Sequence, residues 1–216
     1  MIRLYSYWRS SSAWRVRLGL AWKRVTHELV LVNLTRDGGE QNQPAFLERN
    51  PLAQVPVLEV SEGPNVLTVT QSVAILEYLE ERFPARPLLP ESVADRARVR
   101  QLVEIVNSGT QPFGNLGLRR AFEAEGADPM PFMRRAIVRG FGALEAIARA
   151  TSGRYLVGDG VTLADMYLVP QFYNARRFGV DLEPYPTLLR VESACNALAE
   201  FQSAHPNAQP DYDPDA

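Results

Sequence analysis

Three serines in a row, at the junction of a predicted strand and a predicted helix, constrain this chain more than any other feature. Residues 3–7 alternate and are rich in aromatic side chains, which is typical of a short β-strand. Beyond the serines, Ala13, Val16 and Leu20 recur at helical spacing. The serines therefore stand where an α-helix begins. Unpaired N–H groups and the positive end of the helix dipole favour an anion at that position.

These serines, Ser10, Ser11 and Ser12, allow a structural and a functional interpretation. A serine is a favourable N-cap, because its side-chain oxygen accepts a hydrogen bond from an unpaired amide of the first turn. A serine hydroxyl can also donate a hydrogen bond to a bound anion. The two roles are compatible, since one serine can cap the helix while its neighbour contacts a ligand.

The composition is that of a globular protein with a real core, and 216 residues suffice for one large domain or two small ones. A net charge of -2 offers no basic field, so we expect no nucleic-acid partner. The single cysteine, Cys195, is interpreted as a buried apolar residue and indicates a reducing compartment. No apolar run has membrane-spanning length and no signal segment precedes the first strand, so we expect a cytoplasmic protein with no membrane partner.

The first 82 residues predict a thioredoxin-like layout. Further strands are expected at 27–33, at 56–60 and at 66–70, with a helix at 71–82. The order β-α-β, an interruption and then β-β-α is typical of one sheet with helices against it. Serines occupy the positions where a disulfide-exchange protein would carry Cys-x-x-Cys, which argues against thiol–disulfide chemistry.

Pro56 opens an otherwise good strand, although a proline cannot donate to a β-ladder. Two interpretations are open: an edge-strand proline, or a cis proline like the one at the equivalent place in thioredoxin-like folds. The sequence Gln54-Val55-Pro56 favours the cis form. The cis bond would turn the backbone of Val55 toward a ligand.

The rest of the chain predicts helices only. Three prolines mark a stiff linker at 83–91, so we expect a first domain at 1–82 and an all-helical domain at 92–216. Thr162 and Asp165 have the spacing of a capping box and are interpreted as structural. Helices are expected at 92–118, 131–150 and 188–204, with an extended or frayed end from His205.

The chain is poor in nucleophiles of its own. His27 and His205 are the only histidines and lie far apart in the sequence, so we expect neither a metal site nor a hydrolytic triad. No glycine fingerprint for phosphates or dinucleotides occurs. A protein that takes its nucleophile from a cofactor would have such a sequence.

The run Ser10-Ser11-Ser12-Ala13-Trp14-Arg15-Val16-Arg17 resembles the signature of zeta-class glutathione transferases, the maleylacetoacetate isomerase family. That signature is usually Ser-Ser-Cys-x-Trp-Arg-Val-Arg, so Ser12 stands where the family has cysteine. A hydroxyl there is less nucleophilic than a thiolate. The resemblance implies a thioredoxin-like glutathione-binding domain with a mixed four-stranded sheet, an all-helical substrate-binding domain and a homodimer.

The same resemblance implies the residues of the site. Ser10, helped by Ser11 and Ser12, would hold the glutathione thiolate, and Val55 would exchange backbone hydrogen bonds with the cysteinyl part. The other implied contacts with glutathione are Gln54, Pro56, Gln71, Ser72, Gln111 and Asn115, of which the Gln71-Ser72 pair would bind the γ-glutamyl carboxylate and amine. Arg9 and Arg177 would meet substrate carboxylates, for which arginine offers a bidentate match.

The implied reaction is the glutathione-dependent isomerisation of maleylacetoacetate to fumarylacetoacetate in tyrosine and phenylalanine breakdown. Reversible addition of the thiolate to the cis double bond would allow that bond to rotate. Leu116 follows Asn115 where maleylpyruvate isomerases tend to carry arginine, which favours maleylacetoacetate. The alternatives are maleylpyruvate isomerisation, conjugation or dehalogenation of small α-halo acids, and a transferase-like binding module without catalysis.

Overall fold

The computed structural model describes residues 1–214, and their contacts divide the chain into two compact units. The first unit is Met1–Arg86 together with the segment that starts at Ala199, and the second is Pro87–Leu198. Within the described residues, no helix is both long enough and apolar enough to cross a membrane.

The first unit is built on a mixed four-stranded sheet, as the sequence predicts. Strands β1 (Ile2–Ser6), β2 (Glu28–Leu31), β3 (Val57–Glu62) and β4 (Asn65–Thr70) lie in the order β2-β1-β3-β4. The β1–β2 pair is parallel and the other two pairs are antiparallel. Helices α1 (Ser11–Trp22), α2 (Pro44–Leu47) and α3 (Ser72–Arg82) complete the order along the chain.

Helices α1 and α3 approach each other closely at Gly19. A Cβ atom at this position would lie 2.3 Å from Cδ2 of Leu76, so only a glycine fits without displacing the leucine. At the end of α1, the buried Nζ of Lys23 lies 2.7 Å from a carboxylate oxygen of Glu80 on α3. These two contacts fix α1 and α3 to each other. They therefore also help to fix the positions at which the two helices begin.

The second unit is helical, which confirms the predicted fold class. Its helices are α4 (Val93–Asn107), α5 (Leu116–Ala124), α6 (Met130–Thr151), α7 (Leu163–Arg177) and α8 (Pro186–Asn196). The capping box before α7 is present, since the fully buried carboxylate of Asp165 accepts hydrogen bonds from the amide and the hydroxyl of Thr162 at 2.8 and 2.9 Å. A third hydrogen bond comes from the amide of Leu156 at 2.9 Å.

The predicted helix at 92–118 is wrong, because α4 ends at Asn107. The hydroxyls of Ser108 and Thr110 donate to the carbonyls of Glu104 and Ile105 at 2.8 and 2.7 Å and so close the last turn. Pro112, which has no N–H to donate, then lies in a separate 3-10 turn, Gln111–Gly114.

The predicted helix at 188–204 and the frayed end are also wrong. Helix α8 ends at Asn196, and a separate short helix, α9 (Ala199–Ala204), lies in the first unit. Beyond it, the side-chain amide of Gln209 donates to the carbonyls of Ser203 and His205 at 3.1 and 3.0 Å. These bonds hold the end of the segment against α9, whereas its prolines led to the prediction of an extended or frayed chain.

Candidate active site

Three predicted site segments meet at one edge of the sheet. Tyr5 lies opposite Val57, and Val57 lies opposite Thr70. The end of β1, the start of β3 and the end of β4 therefore share an edge. The segments that contain the three serines, the Val55-Pro56 bond and the Gln71-Ser72 pair all begin or end there. Helix α1 begins at the three serines and helix α3 begins at the Gln71-Ser72 pair. The N-terminus of a helix is the positive end of its dipole, so two such ends lie at this edge.

Ser10 is the N-cap of α1. Its hydroxyl oxygen accepts a hydrogen bond from the amide of Ala13 at 3.2 Å, and its own amide donates to the carbonyl of Tyr7 at 3.0 Å. A hydroxyl that accepts a hydrogen bond still has its proton to donate. Ser10 can therefore cap the helix and contact a ligand in the same conformation. Its half-buried side chain can donate to an anion in front of the helix.

Ser11 and Ser12 form the start of the first turn of α1. Ser11 is buried and Ser12 half-buried. Since an α-helical amide bonds to the carbonyl four residues earlier, the amides of the first helical residues have no partner inside the helix. Together with the Ser10 hydroxyl they form a set of donors, which suits a thiolate or a carboxylate rather than a cation.

The turn between β1 and α1 is fixed by Arg17, a residue to which the sequence analysis gave no role. Its guanidinium donates to the hydroxyl of Ser6 at 2.9 Å and to the carbonyls of Tyr7 and Trp8 at 3.3 and 2.9 Å. Only 4% of Arg17 is exposed. The sequence does contain a signal for this role, because Arg17 falls on the apolar face of a predicted helix. A charge that is buried there needs several hydrogen-bond partners.

The segment before β3 carries the predicted cis peptide bond, Val55-Pro56. Asn50, which is also absent from the predicted site, shapes this segment: its side-chain amide donates to the carbonyl of Gln54 at 2.7 Å, and its oxygen accepts from the amide of Leu52 at 3.1 Å. Val55 and Pro56 are buried and Gln54 is exposed. The loop is thus shaped by a buried side chain rather than by a strand ladder.

The Gln71-Ser72 pair begins helix α3. Gln71 has a φ of 70°, which is unfavourable for a residue other than glycine and costs about 1–3 kcal/mol. Backbone strain of this kind clusters at functional sites, but Arg24, Asp37 and Ala53 also have a positive φ, so the binding role of the pair stays a prediction. Ser72 is buried, and its hydroxyl accepts a hydrogen bond from Nη1 of Arg15 at 3.3 Å.

The remaining predicted site residues are placed as follows. The guanidinium of Arg9, next to Ser10 in the chain, lies over the Trp8 ring at 5.2 Å. In the second unit, the side-chain amide of Gln111 donates to the oxygen of Asn115 at 2.5 Å, so these two residues are in contact. Arg177 ends α7 with its guanidinium 5.4 Å from the centre of the Phe178 ring. The contacts of all four with glutathione or substrate stay predictions.

Glutathione suits the donors at this edge of the sheet. Its thiolate is a single anionic acceptor, which matches the Ser10 hydroxyl and the amides of the first turn. Its γ-glutamyl carboxylate is a second acceptor, which matches the start of α3. A hydrogen bond between Arg15 of α1 and Ser72, the first residue of α3, links these two helices. The binding of one anionic group at the start of each helix stays a prediction.

Comparison with known proteins identifies the class of protein. Residues 9–82 match the family "Glutathione S-transferase, N-terminal domain" and residues 133–199 match "Glutathione S-transferase, C-terminal domain". The chain therefore belongs to the glutathione S-transferase family.

Individual relatives narrow the class further. The chain is 48% identical to maleylacetoacetate isomerase of Rattus norvegicus over 208 residues, which cover 96% of this chain and 94% of that protein. The maleylacetoacetate isomerase of Anaeromyxobacter dehalogenans, solved with bound GSH in its active site, is 57% identical with a TM-score of 0.90 over 99% of this chain and 98% of that one.

A maleyl pyruvate isomerase described as a zeta-class bacterial glutathione S-transferase is also similar. It is 41% identical with a TM-score of 0.90 over 98% of this chain and all of that one. Within the glutathione S-transferases, these relatives place the chain in the zeta class.

Proposed function

We propose that this chain is a glutathione-dependent isomerase that converts maleylacetoacetate to fumarylacetoacetate. The observation that carries the proposal is the arrangement of Ser10, whose hydroxyl caps α1 and keeps a proton to donate at the positive end of that helix. The relatives that share this fold at high identity carry the same activity in their names.

Glutathione would supply a thiolate, which can add reversibly to a cis double bond conjugated with a carbonyl group. A free thiol has a pKa of ~8.5 and is mostly protonated at neutral pH. The Ser10 hydroxyl and the amides of Ser11 and Ser12 stabilise the anionic form, so they lower the pKa of the thiol. No side chain of this set needs to act as a nucleophile, which explains why a serine at position 12 is compatible with the reaction.

The rest of glutathione is held by the other segments at the same edge of the sheet. The backbone of Val55 pairs with the cysteinyl part, as the resemblance implies. Gln71 and Ser72 bind the γ-glutamyl carboxylate and amine at the start of α3. Gln111 and Asn115, which contact each other, are the further glutathione contacts that the resemblance implies.

The substrate is a small acid, and its carboxylates need cationic partners. Arg9 and Arg177 take this role, because a guanidinium binds a carboxylate through two parallel hydrogen bonds. The Anaeromyxobacter dehalogenans isomerase has also been solved with dicarboxyethyl glutathione and citrate in its active site. Addition of a thiol to a maleate-like diacid yields a conjugate of that kind, which supports thiolate addition as the chemistry of this site.

The direct test supplies purified protein with maleylacetoacetate, or its analogue maleylacetone, with and without glutathione. We expect the fumaryl isomer to form only with glutathione, and glutathione to be recovered unchanged. Isomerisation of maleylpyruvate at a higher kcat/KM than of maleylacetoacetate would move the assignment to the maleylpyruvate isomerases. Glutathione binding without isomerisation of either acid would move it to conjugation or dehalogenation, and no binding at all would leave a non-catalytic module.

We also propose that the protein works as a cytoplasmic homodimer. The proposal follows from its membership of a family whose members usually pair. Light scattering on the purified protein distinguishes a mass near 24.2 kDa from twice that value.

A further inference from the structure

The distal segment, residues 199–214, packs against the turn that presents Ser10. The carboxylate of Asp211 accepts a hydrogen bond from the amide of Trp8 at 3.0 Å. The ring of Tyr212 meets the Trp8 ring edge-on at a centroid distance of 5.1 Å. The carbonyl of Ala204 accepts from Nε of Arg17 at 3.2 Å. Residues 203 positions apart in the chain therefore meet at the catalytic turn.

The peptide unit between Tyr7 and Trp8 lies between two opposite charges. Its N–H points to the Asp211 carboxylate, and its carbonyl accepts from Nη1 of Arg17 at 3.3 Å. The same carbonyl accepts from the amide of Ser10 at 3.0 Å. Hydrogen bonds to charged groups are stronger than neutral ones, so this peptide unit is held firmly from both sides.

Asp211 and Arg17 also act on each other through their charges. Burial lowers the pKa of Arg17 to about 9, and the Asp211 carboxylate opposes that shift. Arg17 is therefore a cation at neutral pH, and it keeps its hydrogen bonds to the turn. Removal of the Asp211 carboxylate would weaken the hydrogen bond to the Trp8 amide. It would also remove a negative charge that stabilises the buried guanidinium of Arg17.

We propose that Asp211 is a positioning residue for the reaction, because it fixes the turn from Tyr7 to Ser10 and thereby the direction of the Ser10 hydroxyl. This inference rests on the proposed function, in which Ser10 stabilises the glutathione thiolate. Asp211 acts through the Trp8 amide and not on the reacting atoms. A small displacement of a group that meets the reacting atom has a large effect on rate, so the effect of Asp211 is measurable.

The test compares Asp211→Asn, which keeps the shape of the side chain but removes its charge, with Asp128→Asn. Asp128 is exposed in the second unit, and an asparagine oxygen can still accept the hydrogen bond from the amide of Met130, so this control removes an equal charge. The ultraviolet absorbance of the thiolate, followed over pH with saturating glutathione, gives the pKa of the bound thiol. In Asp211→Asn we expect that pKa to rise toward the ~8.5 of a free thiol. Turnover at neutral pH should fall about ten-fold and should recover as the pH rises past the raised pKa of the bound thiol.

Hydrogen exchange of the ligand-free protein gives a second readout that does not depend on activity. We expect residues 7–14 to exchange faster in Asp211→Asn than in the wild type, and Asp128→Asn to match the wild type. If Asp211→Asn does not fold, Asp211→Glu takes its place, because it keeps the charge and displaces it by one methylene.

Three results would overturn the inference: an unchanged pKa of the bound thiol, unchanged exchange of residues 7–14, or the same losses in both Asn variants. Failure of the proposed function is distinguishable, because it is seen in the wild type. A wild type that binds no glutathione, or binds it without ionising the thiol, refutes the proposed function and this inference with it.

Discussion

The guanidinium of Arg15 lies 3.3 Å from the hydroxyl of Ser72, so a side chain of α1 reaches the first residue of α3. Arg15 is fully buried and Ser72 is 5% exposed. The contact joins the first half of α1 to the start of α3. In the proposed function these two helices begin at the positions for the thiolate and for the γ-glutamyl carboxylate, so the contact would help to fix the distance between the two positions.

Substitution of Ser72 by alanine tests this relationship. The variant removes a hydroxyl from the start of α3 and the acceptor of the Arg15 hydrogen bond, so we expect the Kd for glutathione to rise about ten-fold, which is about 1.4 kcal/mol. Isothermal titration calorimetry measures the change. Ser193→Ala, at an exposed position of α8, is the matched control and should bind glutathione like the wild type. Equal affinities for Ser72→Ala and the wild type would remove Ser72 from the site.

Ser10→Ala separates the capping role of Ser10 from its catalytic role. We expect kcat/KM to fall about a hundred-fold, as when one donor to a developing anion is removed from an active site. The lost cap should also lower the free energy of unfolding by about 1 kcal/mol. Ser92→Ala is the control, because Ser92 caps α4 through the amide of Asp95 at 3.3 Å. It should lose similar stability and retain full activity. Full activity in Ser10→Ala would assign thiolate stabilisation to Ser11, Ser12 or the amides alone.

Gly19→Ala tests the close approach of α1 and α3. The new Cβ would lie 2.3 Å from Cδ2 of Leu76, so we expect the free energy of unfolding to fall by about 1–3 kcal/mol. Gly142→Ala is the control, since Gly142 lies inside α6 with open space around it. Alanine there should raise stability by about 0.5–1 kcal/mol, because it is the better helix former. Urea denaturation of both variants measures the changes, and a stabilised Gly19→Ala would contradict the packing described here.

Asp165 gives the protein a pH-dependent contribution to stability. Burial raises the pKa of this carboxyl from 3.8 to about 6, although hydrogen bonds, the strongest of them from the amide of Leu156, oppose the shift. The folded state thus binds the proton more tightly than the unfolded state does. The contribution is fully present below pH 3.8 and is lost as pH rises through about 6. In a ¹³C NMR titration of the aspartate carboxyls, Asp165 should ionise near pH 6, and a midpoint below 3.8 would refute the prediction.

Cys195 should be inert in the folded protein. It is fully buried, and burial raises the pKa of its thiol, so the thiolate that reacts with disulfide reagents is not formed. It is the only cysteine in the chain, so labelling with Ellman's reagent reports on this site alone. We expect no reaction in buffer and one thiol per chain in denaturant. Rapid labelling of the native protein would show that α8 opens locally.

Features that depend on neighbouring residues were predictable from the sequence. The cap at Ser10, the box of Thr162 and Asp165, and the cis bond before Pro56 each follow from residue types within a few positions of one another. The resemblance to the zeta class then supplied the cofactor. Of these elements, the cap at Ser10 and the cis bond before Pro56 lie in the segments that meet at one edge of the sheet.

Features that depend on distant residues were not predictable. Arg17 and Ala204 are 187 positions apart, and no local pattern indicates that they meet. The end of α4 depends on the hydroxyls of Ser108 and Thr110, which donate to carbonyls of the last turn. Serine and threonine make the same kind of bond inside helices, so their presence does not predict that a helix ends. Asn50 is equally invisible in the sequence, since its role lies in two hydrogen bonds to a loop that has no periodic pattern.

The return of α9 to the first unit has a consequence for the order in which the protein is made. A ribosome completes residues 1–86 long before it reaches Ala199, yet the contacts of Arg17 with Ala204 and of Trp8 with Asp211 require both parts. During translation the sheet and its first helix are therefore without their last packing partner. The nascent chain acquires these contacts to the turn before α1 only after the whole helical unit has been synthesised, so the first 86 residues alone do not contain all the groups that hold that turn.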